Sequence, residues 1–204
     1  MTRFIRYILK IIHPLLAFWG KLHVPWTRKQ ITSEDLDDII YYLNPGDILL
    51  SYTKGEFTNL SIPSMWKHVG IIDNTSRNVI EAKGVGVIIT DLREFCLKKD
   101  KLALVRPKLG RSDRNKSAAF ASAQVGKPYD FFFQIPNRKH INDSFYCSEL
   151  PHWCYSKCSD TYNFKLRKIL GVDAIKPDDY WNAKSHFEII WSSMEGKHYE
   201  AYMD

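Results

Sequence analysis

The stretch Phe145-Tyr146-Cys147-Ser148-Glu149-Leu150 is the most informative part of the sequence, and Gly126-Lys127-Pro128-Tyr129-Asp130 precedes it. Far upstream stand two apolar stretches with strand character, His68-Val69-Gly70-Ile71 and Val79-Ile80-Glu81-Ala82. The sequence thus predicts a thiol at a strand-to-helix turn, an imidazole on one strand and a carboxylate on the next strand. Nucleophilic thiol catalysis needs these three groups, as a nucleophile, a base that activates it and a group that orients the base.

The imidazole and the carboxylate are expected on one face of a hairpin. His68 and Glu81 are 81 − 68 = 13 positions apart, on consecutive predicted strands. A turn centred near Asn74-Thr75 would put them directly opposite each other, and a slightly shifted turn would put them diagonal on the same face. In either register Glu81 can accept a hydrogen bond from one nitrogen of His68 and fix the tautomer that faces the thiol.

The surroundings of Cys147 favour nucleophilic chemistry. A free thiol is mostly protonated at neutral pH, but the positive end of a helix that starts near Cys147 and a protonated His68 beside it would both favour the thiolate. Backbone N–H groups at the same helix end can stabilise an oxyanion on the attacked carbonyl. The spacing also fits a plain core cysteine, because one helical face would carry Cys147, Leu150, Cys154 and Cys158.

The composition is that of a globular protein. With 204 residues, of which 45% are hydrophobic and 25% charged, the chain can bury one domain core and carry an appended segment. Its net charge of +6 favours anionic surfaces, but the basic residues are scattered and nearly matched by 23 acidic ones. No block of lysine and arginine interleaved with aromatic residues occurs, so we expect no nucleic-acid partner.

The four cysteines indicate reduced thiols. Cys154 and Cys158 form one C-x3-C pair, with no second pair and no histidine pair at zinc spacing. A disulfide framework is not expected in a chain with this much apolar content. We therefore expect a cytoplasmic protein with no metal and no cofactor.

The N-terminus has an amphipathic pattern. Basic residues recur at helical spacing at Arg3, Arg6, Lys10 and His13, among apolar residues that continue to Trp19. The uninterrupted apolar run is far shorter than the roughly 20 residues that a membrane-spanning helix needs. Two interpretations stay open: a basic helix over residues 3–19 that lies on a membrane surface, or a helix that packs its apolar face on its own domain.

The remaining sequence alternates between strand and helix patterns. Strands are predicted at 47–52, 68–73, 79–82, 86–90, 102–106 and 189–191. They outnumber the strands of a βαβ repeat, so we predict an α+β fold in which an antiparallel sheet packs on helices. The predicted organisation is an N-terminal helical segment, 1–44, followed by one domain, 45–204.

Two of the predicted helices have clear start signals. Thr32 or Ser33 can cap the first, whose apolar stripe would consist of Leu36, Ile39, Ile40 and Leu43. Ser112 or Asp113 can cap the second, which Gly126 closes.

The motifs H-V-G-I, V-I-E-A with a following G-V, G-K-P-Y-D and Y-C-S-E-L occur in that order and resemble the circularly permuted branch of the NlpC/P60 superfamily. Within that branch the chain looks like the YiiX-like group, over roughly residues 45 to 158. It is also similar to a poxvirus protein family and, more distantly, to lecithin:retinol acyltransferases. In ordinary NlpC/P60 enzymes the cysteine precedes the histidine, whereas His68 comes first and Cys147 last in this sequence.

The resemblance implies a papain-like fold with a thiol dyad or triad. By matching motif positions, the resemblance assigns the role of nucleophile to Cys147, of base to His68 and of orienting group to Glu81. Tyr129 matches a tyrosine that lines the site in the family, where its hydroxyl helps to hold an oxyanion or substrate. Glu149 matches the glutamate of the family's C-S-E-L motif.

Two features depart from the family's pattern. Pro151 lies where a helix that starts at the cysteine should already donate backbone hydrogen bonds, so the helix start is expected to be shifted or irregular. The segments before residue 45 and after residue 158 have no counterpart. Residues 162–204 are expected to form a lid or a wall of the cleft, with aromatic side chains that belong to the core: Tyr180, Trp181, Phe187 and Trp191.

We therefore expect a thiol hydrolase or acyltransferase that attacks an amide, ester or thioester carbonyl and forms an acyl-enzyme. The substrate is expected to be a small molecule, a lipid or a peptide, including peptidoglycan-type substrates. The alternative is a non-catalytic binding module of the same fold that captures an acyl or amino-acid ligand, for example at a membrane surface. A third interpretation is a peripheral membrane scaffold.

Overall fold

A computed structural model of the chain describes residues 31–54, 64–131, 144–169 and 172–194. Within these ranges the chain forms both helices and short strands. The helices are α1 (Ser33–Tyr42), α2 (Leu92–Leu97), α3 (Arg111–Ser122), α4 (Glu149–Cys158) and α5 (Pro177–Asn182). The strands are β1 (Ile48–Tyr52), β2 (His68–Ile72), β3 (Asn78–Lys83), β4 (Gly86–Asp91), β5 (Lys101–Pro107), β6 (Arg167–Ile169), β7 (Val172–Ala174) and β8 (Phe187–Ser192).

One antiparallel sheet organises the fold, with the strand order β4-β3-β2-β1-β5-β8. Strands β6 and β7 form a separate two-stranded ribbon. A buried cluster that includes Ala121, Leu150 and Val69 joins α3 and α4 to one face of the sheet. A second cluster, which includes Leu36 and Phe95, joins α1 and α2 to the other face. The predicted α+β class, with an antiparallel sheet packed on helices, is confirmed.

Helix α1 begins with a capping box. The Thr32 hydroxyl accepts from the Asp35 N–H at 3.1 Å, and the Asp35 carboxylate accepts from the Thr32 N–H at 2.9 Å. Ile39 is buried against the sheet, but the prediction that Ile40 belongs to the apolar stripe is wrong, since its side chain is 51% exposed. Successive helical residues point about 100° apart, so a narrow contact with the sheet buries only one of two adjacent isoleucines.

Helix α3 begins earlier than the sequence predicts. Its first residue is Arg111, with Gly110 at the N-cap and no side-chain hydrogen bond to the helix end. The prediction that Ser112 or Asp113 caps this helix is therefore wrong, because both residues lie inside the first turn.

The turn that follows α3 is docked on strand β4. Gly126 adopts a left-handed φ of 91°, a conformation that suits glycine. Its N–H donates to the Val87 carbonyl at 2.9 Å, and the Val87 N–H donates to the Lys127 carbonyl at 2.8 Å. Gly86 also has a positive φ, of 117°, and a Cβ there would lie 2.6 Å from the Lys127 carbonyl oxygen. This close approach fixes the start of the segment that carries Tyr129.

Helix α4 begins at Glu149, so Cys147 lies in the turn before the helix. Pro151 is then its third residue. The N–H groups of the first turn have no partner within a helix, and the missing N–H of a proline there removes no helical hydrogen bond. The irregular start expected from Pro151 is thus a helix that begins two residues after the cysteine.

The chain beyond α4 contributes aromatic side chains to the core. Tyr180, Phe187 and Trp191 are buried, in agreement with the prediction. Trp181 is half-buried, and its ring centroid lies 5.4 Å from that of Trp66.

None of the helices in the described ranges is both long enough and apolar enough to cross a membrane. The predicted amphipathic segment, residues 3–19, lies outside the described residues. The predicted boundary between an N-terminal segment, 1–44, and a domain, 45–204, stays a prediction.

Candidate active site

Strands β2 and β3 bring His68 and Glu81 together. Glu81 pairs with Gly70 across the two strands, so His68 is diagonal to Glu81 on the same face. This is the second of the two registers that the sequence allows. The His68 Nε2 donates to Glu81 Oε2 at 2.6 Å. Gly70 belongs to this close packing, because a Cβ there would lie 2.1 Å from Val79 Cγ1.

The Glu81 carboxylate is fully buried and has three polar partners. Besides the bond from His68, its Oε1 accepts a hydrogen bond from the Thr90 hydroxyl and lies 2.5 Å from Lys83 Nζ. Thr90 stands on β4, where Glu81 pairs with Ile88, so Thr90 is also diagonal to the carboxylate on one face. These partners keep a buried carboxylate charged, which burial alone would oppose.

The charges of His68 and Glu81 stabilise each other. Burial by itself lowers the pKa of His68, but its hydrogen bonds to Cys147 and Glu81 and the charges of those groups raise it to about 9. Burial raises the pKa of Glu81, but the hydrogen bond and charge of His68, followed by the charge of Lys83, lower it to about 2. At neutral pH the pair is therefore an imidazolium facing a carboxylate.

Cys147 completes this chain of contacts. Its side chain is 7% exposed and hydrogen-bonds to His68. Because Glu81 engages His68 Nε2, Nδ1 is the ring nitrogen left to face the thiol. The structure thus brings the three predicted residues together in the predicted order, with the imidazole between the thiol and the carboxylate.

Tyr129 lies beside the thiol. Its hydroxyl is within interaction distance of the backbone N–H and the thiol of Cys147. Burial, followed by the charge at Cys147, raises the pKa of Tyr129 well above its usual value of 10, so its hydroxyl keeps its proton. The segment is held by backbone hydrogen bonds on either side, since Asp130 N–H donates to the Phe145 carbonyl at 3.0 Å and Phe145 N–H donates to the Pro128 carbonyl at 3.1 Å.

Glu149 belongs to the turn that carries Cys147. Its carboxylate is 8% exposed and accepts from the Tyr146 N–H at 3.4 Å. The carboxylate therefore closes the turn from the helix side. The carboxylate that accepts the hydrogen bond from His68 is that of Glu81, on strand β3.

The sequence reasoning missed two members of the site, Thr90 and Lys83. One sequence pattern bears on both residues, the alternation of side chains along the strands. Lys83 is two residues after Glu81 on β3, and the register of β3 with β4 brings Thr90 to the same face. Threonine and lysine occur in strands for many other reasons. The sequence alone therefore does not identify Thr90 and Lys83 as partners of Glu81.

The fold has a relative of known structure. A crystal structure from Escherichia coli O157:H7, of a protein described as metalloprotein yiiX, matches with a TM-score of 0.51 and 25% sequence identity. The match covers 67% of this chain and 77% of that chain. No curated protein matches the chain significantly.

The metal named for that relative has no evident counterpart in the described part of this chain. Within the four described ranges, no group of three or more His, Cys, Asp or Glu side chains is arranged to hold a metal ion. We therefore assign no metal ligands among these residues.

A family model matches residues 42–195, a span that contains the sheet, the Cys147 turn and the C-terminal aromatic residues. That family is described as permuted papain-like amidase enzymes, YaeF/YiiX, C92. The order of His68 before Cys147 agrees with the permutation, and the antiparallel sheet with helices agrees with the fold. The chain therefore belongs to the C92 family of permuted papain-like amidases, and its general function is that of a cysteine hydrolase.

Proposed function

We propose that this protein cleaves an acyl bond with Cys147 as the nucleophile, His68 as the general acid and base, and Glu81 as the carboxylate that orients His68. The observation that carries the proposal is the buried chain of contacts from Glu81 through His68 to Cys147. Strongly shifted pKa values beside a nucleophile are typical of catalytic sites, because catalysis requires groups whose charge is set by their surroundings.

In the first half of the reaction, the Cys147 sulfur attacks the carbonyl carbon and the carbonyl oxygen becomes an oxyanion. When this intermediate collapses, the bond to the leaving group breaks and the His68 imidazolium donates its proton to the leaving amine or alcohol. The product is a thioester on Cys147 and a neutral His68. Glu81 keeps the ring oriented and stabilises its charged form before the proton leaves.

In the second half, neutral His68 takes a proton from water as the water oxygen attacks the thioester carbonyl. The carbon–sulfur bond then breaks, which releases the acid and restores the thiolate facing the imidazolium. If an alcohol or amine replaces water, the same steps transfer the acyl group, so hydrolase and acyltransferase activity need the same residues.

We expect two groups to stabilise the oxyanion. They are the backbone N–H of Cys147 and the hydroxyl of Tyr129, which are neighbours in the free protein. Because the Tyr129 hydroxyl keeps its proton, it can donate that proton in a hydrogen bond to the oxyanion. When the substrate binds, the Cys147 N–H and the Tyr129 hydroxyl would both donate to the oxygen of the attacked carbonyl instead of contacting each other.

Amides are the first substrate class to test, since the family is one of amidases. Esters and thioesters have the same reacting carbonyl and a better leaving group. Within these classes we propose an acyl chain or peptide, including lipid and peptidoglycan-type substrates. A basic amphipathic segment at residues 3–19 would bring such a protein to anionic membranes, which co-sedimentation of full-length and truncated chains with anionic vesicles at two salt concentrations would test.

Alkylation of the native protein tests the nucleophile. Cys147 is buried, whereas Cys158 is partly exposed and burial raises its pKa. Accessibility alone would thus favour Cys158. If His68 activates Cys147, iodoacetamide at neutral pH should modify Cys147 at least about tenfold faster, as quantified by peptide mass spectrometry. The His68→Ala variant should lose this preference.

A binding module of the same fold would give a different result. Cys147 would then react no faster than Cys158, and no acyl-enzyme would accumulate when the protein is mixed with a thioester or activated ester. Equal labelling of the two cysteines in wild-type protein would therefore overturn the proposed function.

A further inference from the structure

Helix α4 supports only part of the turn that carries Cys147. The N–H groups of Glu149 and Leu150 donate to the Tyr146 carbonyl at 3.2 and 3.3 Å, and the Glu149 carboxylate accepts from the Tyr146 N–H. Pro151 has no N–H to donate to the Cys147 carbonyl, so the helix cannot extend backwards over the nucleophile. The other hydrogen bonds of the turn come from a segment further along the chain.

One C-terminal segment, Ile175–Tyr180, supplies these contacts, and we call it the C-terminal clamp. The Ile175 N–H donates to the Tyr146 hydroxyl at 3.1 Å, and the Ser148 hydroxyl donates to the Ile175 carbonyl at 2.8 Å. The two residues that flank Cys147 are thus both bonded to the backbone of Ile175. All of these bonds are buried.

Tyr180 is bonded to the start of helix α4. Its hydroxyl donates to the Ser148 carbonyl at 2.5 Å. Ser148 directly follows Cys147, so this bond holds the backbone on the helix side of the nucleophile.

The same clamp also holds the chain just before the histidine. Asp178 accepts from the Trp66 N–H at 2.7 Å and from the Met65 N–H at 3.0 Å. Trp66 is fully buried and stands two residues before His68, the first residue of β2. One short segment is therefore bonded to the backbone on both sides of the contact between the thiol and the imidazole.

We propose that Asp178 and Tyr180 are positioning residues that hold Cys147 at its working distance from His68. This inference rests on the proposed function, in which a proton moves at that contact. Displacement of a reacting group by about 1 Å can cost on the order of a hundredfold in rate. The clamp would thus act on the reaction without touching the substrate, by fixing two backbone segments relative to each other.

The test for Tyr180 is Tyr180→Phe, with Tyr155→Phe as the matched control. Tyr155 is equally buried and its hydroxyl also donates to a backbone carbonyl, that of Gly46 at 2.7 Å, away from the Cys147 turn. Each variant removes one buried hydrogen bond from a tyrosine hydroxyl to a backbone carbonyl. We therefore expect similar falls in melting temperature, with about tenfold slower alkylation of Cys147 in Tyr180→Phe alone.

The test for Asp178 is Asp178→Asn, with Asp73→Asn as its control. The Asp73 carboxylate also accepts backbone N–H groups, those of Thr75 and Asn78, at the far end of strand β2. Asparagine keeps one acceptor oxygen in each case. We expect only Asp178→Asn to slow the alkylation of Cys147, by several-fold, because only Asp178 holds the chain beside His68.

The readout is the rate of Cys147 alkylation by iodoacetamide as a function of pH, compared with that of Cys158 in the same full-length folded protein. In the clamp variants we expect Cys147 to react more slowly and Cys158 to react at its wild-type rate, so the ratio of the two rates falls. A loss of stability alone would not lower this ratio, because unfolding exposes both thiols.

The outcomes separate the clamp from the proposed function. If wild-type Cys147 reacts no faster than Cys158, the proposed function fails, and the clamp with it. If wild-type Cys147 is fast and His68→Ala slows it, while Tyr180→Phe and Asp178→Asn keep the wild-type rate and pH profile, only the clamp is wrong. An equal slowing in all four clamp and control variants would also overturn the clamp, because it would report general destabilisation.

Discussion

The two halves of the candidate site are built from different kinds of contact. His68 and Glu81 are 13 residues apart and are joined by one hairpin, which we call the hairpin half. The turn around Cys147, the turn half, is held by Ile175 and Tyr180, which are 27 to 32 residues away from their partners in the turn. The hairpin half is thus a local structure, whereas the turn half also depends on a segment that is distant in sequence.

This difference has a physical consequence. In a hairpin, the strand register fixes which side chains meet, and closing the short loop costs little entropy. The turn half has no comparable rule, because its geometry depends on several hydrogen bonds to the C-terminal segment. We expect the hairpin half to set the charges of His68 and Glu81. We expect the turn half to set the distance between Cys147 and His68.

The largest expected effect comes from His68, the residue that joins the two halves. His68→Ala should lower the rate of hydrolysis of an activated ester or amide by more than about a thousandfold, because both proton transfers are lost. His186→Ala is the control, since His186 bonds to Asn163 away from Cys147. Comparable losses in both variants would mean that His68 acts through stability alone.

Glu81 comes next, since it acts through His68. Glu81→Gln should slow acylation by about a hundredfold or more, because the amide lacks the charge that stabilises the imidazolium. Glu94→Gln provides a control, as Glu94 forms an exposed pair with Lys98 at 2.6 Å. A Glu81→Gln enzyme with nearly wild-type kcat would remove the carboxylate from the mechanism.

The hairpin half should also make folding stability depend on pH. The pKa of His68, about 9, lies above its unfolded value of 6.5, so its contribution is fully present below about pH 6.5 and is lost as pH rises through about 9. The full shift corresponds to about 3 kcal/mol of unfolding free energy. Chemical denaturation of wild type and His68→Asn across this interval should show a steeper decline for wild type, and parallel declines would contradict the assignment.

The smallest expected effect belongs to Lys83, whose ammonium group is partly exposed beside Glu81. Lys83→Met should lower the acylation rate by less than about tenfold, and the difference from wild type should shrink as salt increases. Lys98→Met, which breaks the exposed pair with Glu94, is the control. A loss as large as that of Glu81→Gln would show that Lys83 is part of the catalytic machinery.

Much of the hairpin half could be predicted from the sequence. The alternation around His68 and Glu81 predicts two paired strands with both side chains on one face, and the observed diagonal register is one of the two that were expected. The choice between the two registers was not predictable, because it depends on how the loop from Asp73 to Asn78 folds. In that loop the Asp73 carboxylate collects several hydrogen bonds from following residues.

The turn half was predictable only in outline. The sequence places Cys147 before a helix, and the order of the motifs identifies the permuted family. It does not show that the helix begins at Glu149, that Gly110 starts α3 without a side-chain cap, or that Ile40 faces away from the core. Each of these details depends on packing against a neighbouring element rather than on local preference.

The sequence by itself determined the kinds of group in the site, their order along the chain and the pairing of His68 with Glu81, because strand periodicity and motif order are local properties. Only the tertiary structure decided that Thr90 contacts the Glu81 carboxylate, that Ile175 and Tyr180 bond to the nucleophile turn, and that Asp178 bonds to the chain before His68. These contacts join residues that lie on different strands or far apart in sequence. They form because the completed core brings those residues together, and a local sequence pattern does not reveal them.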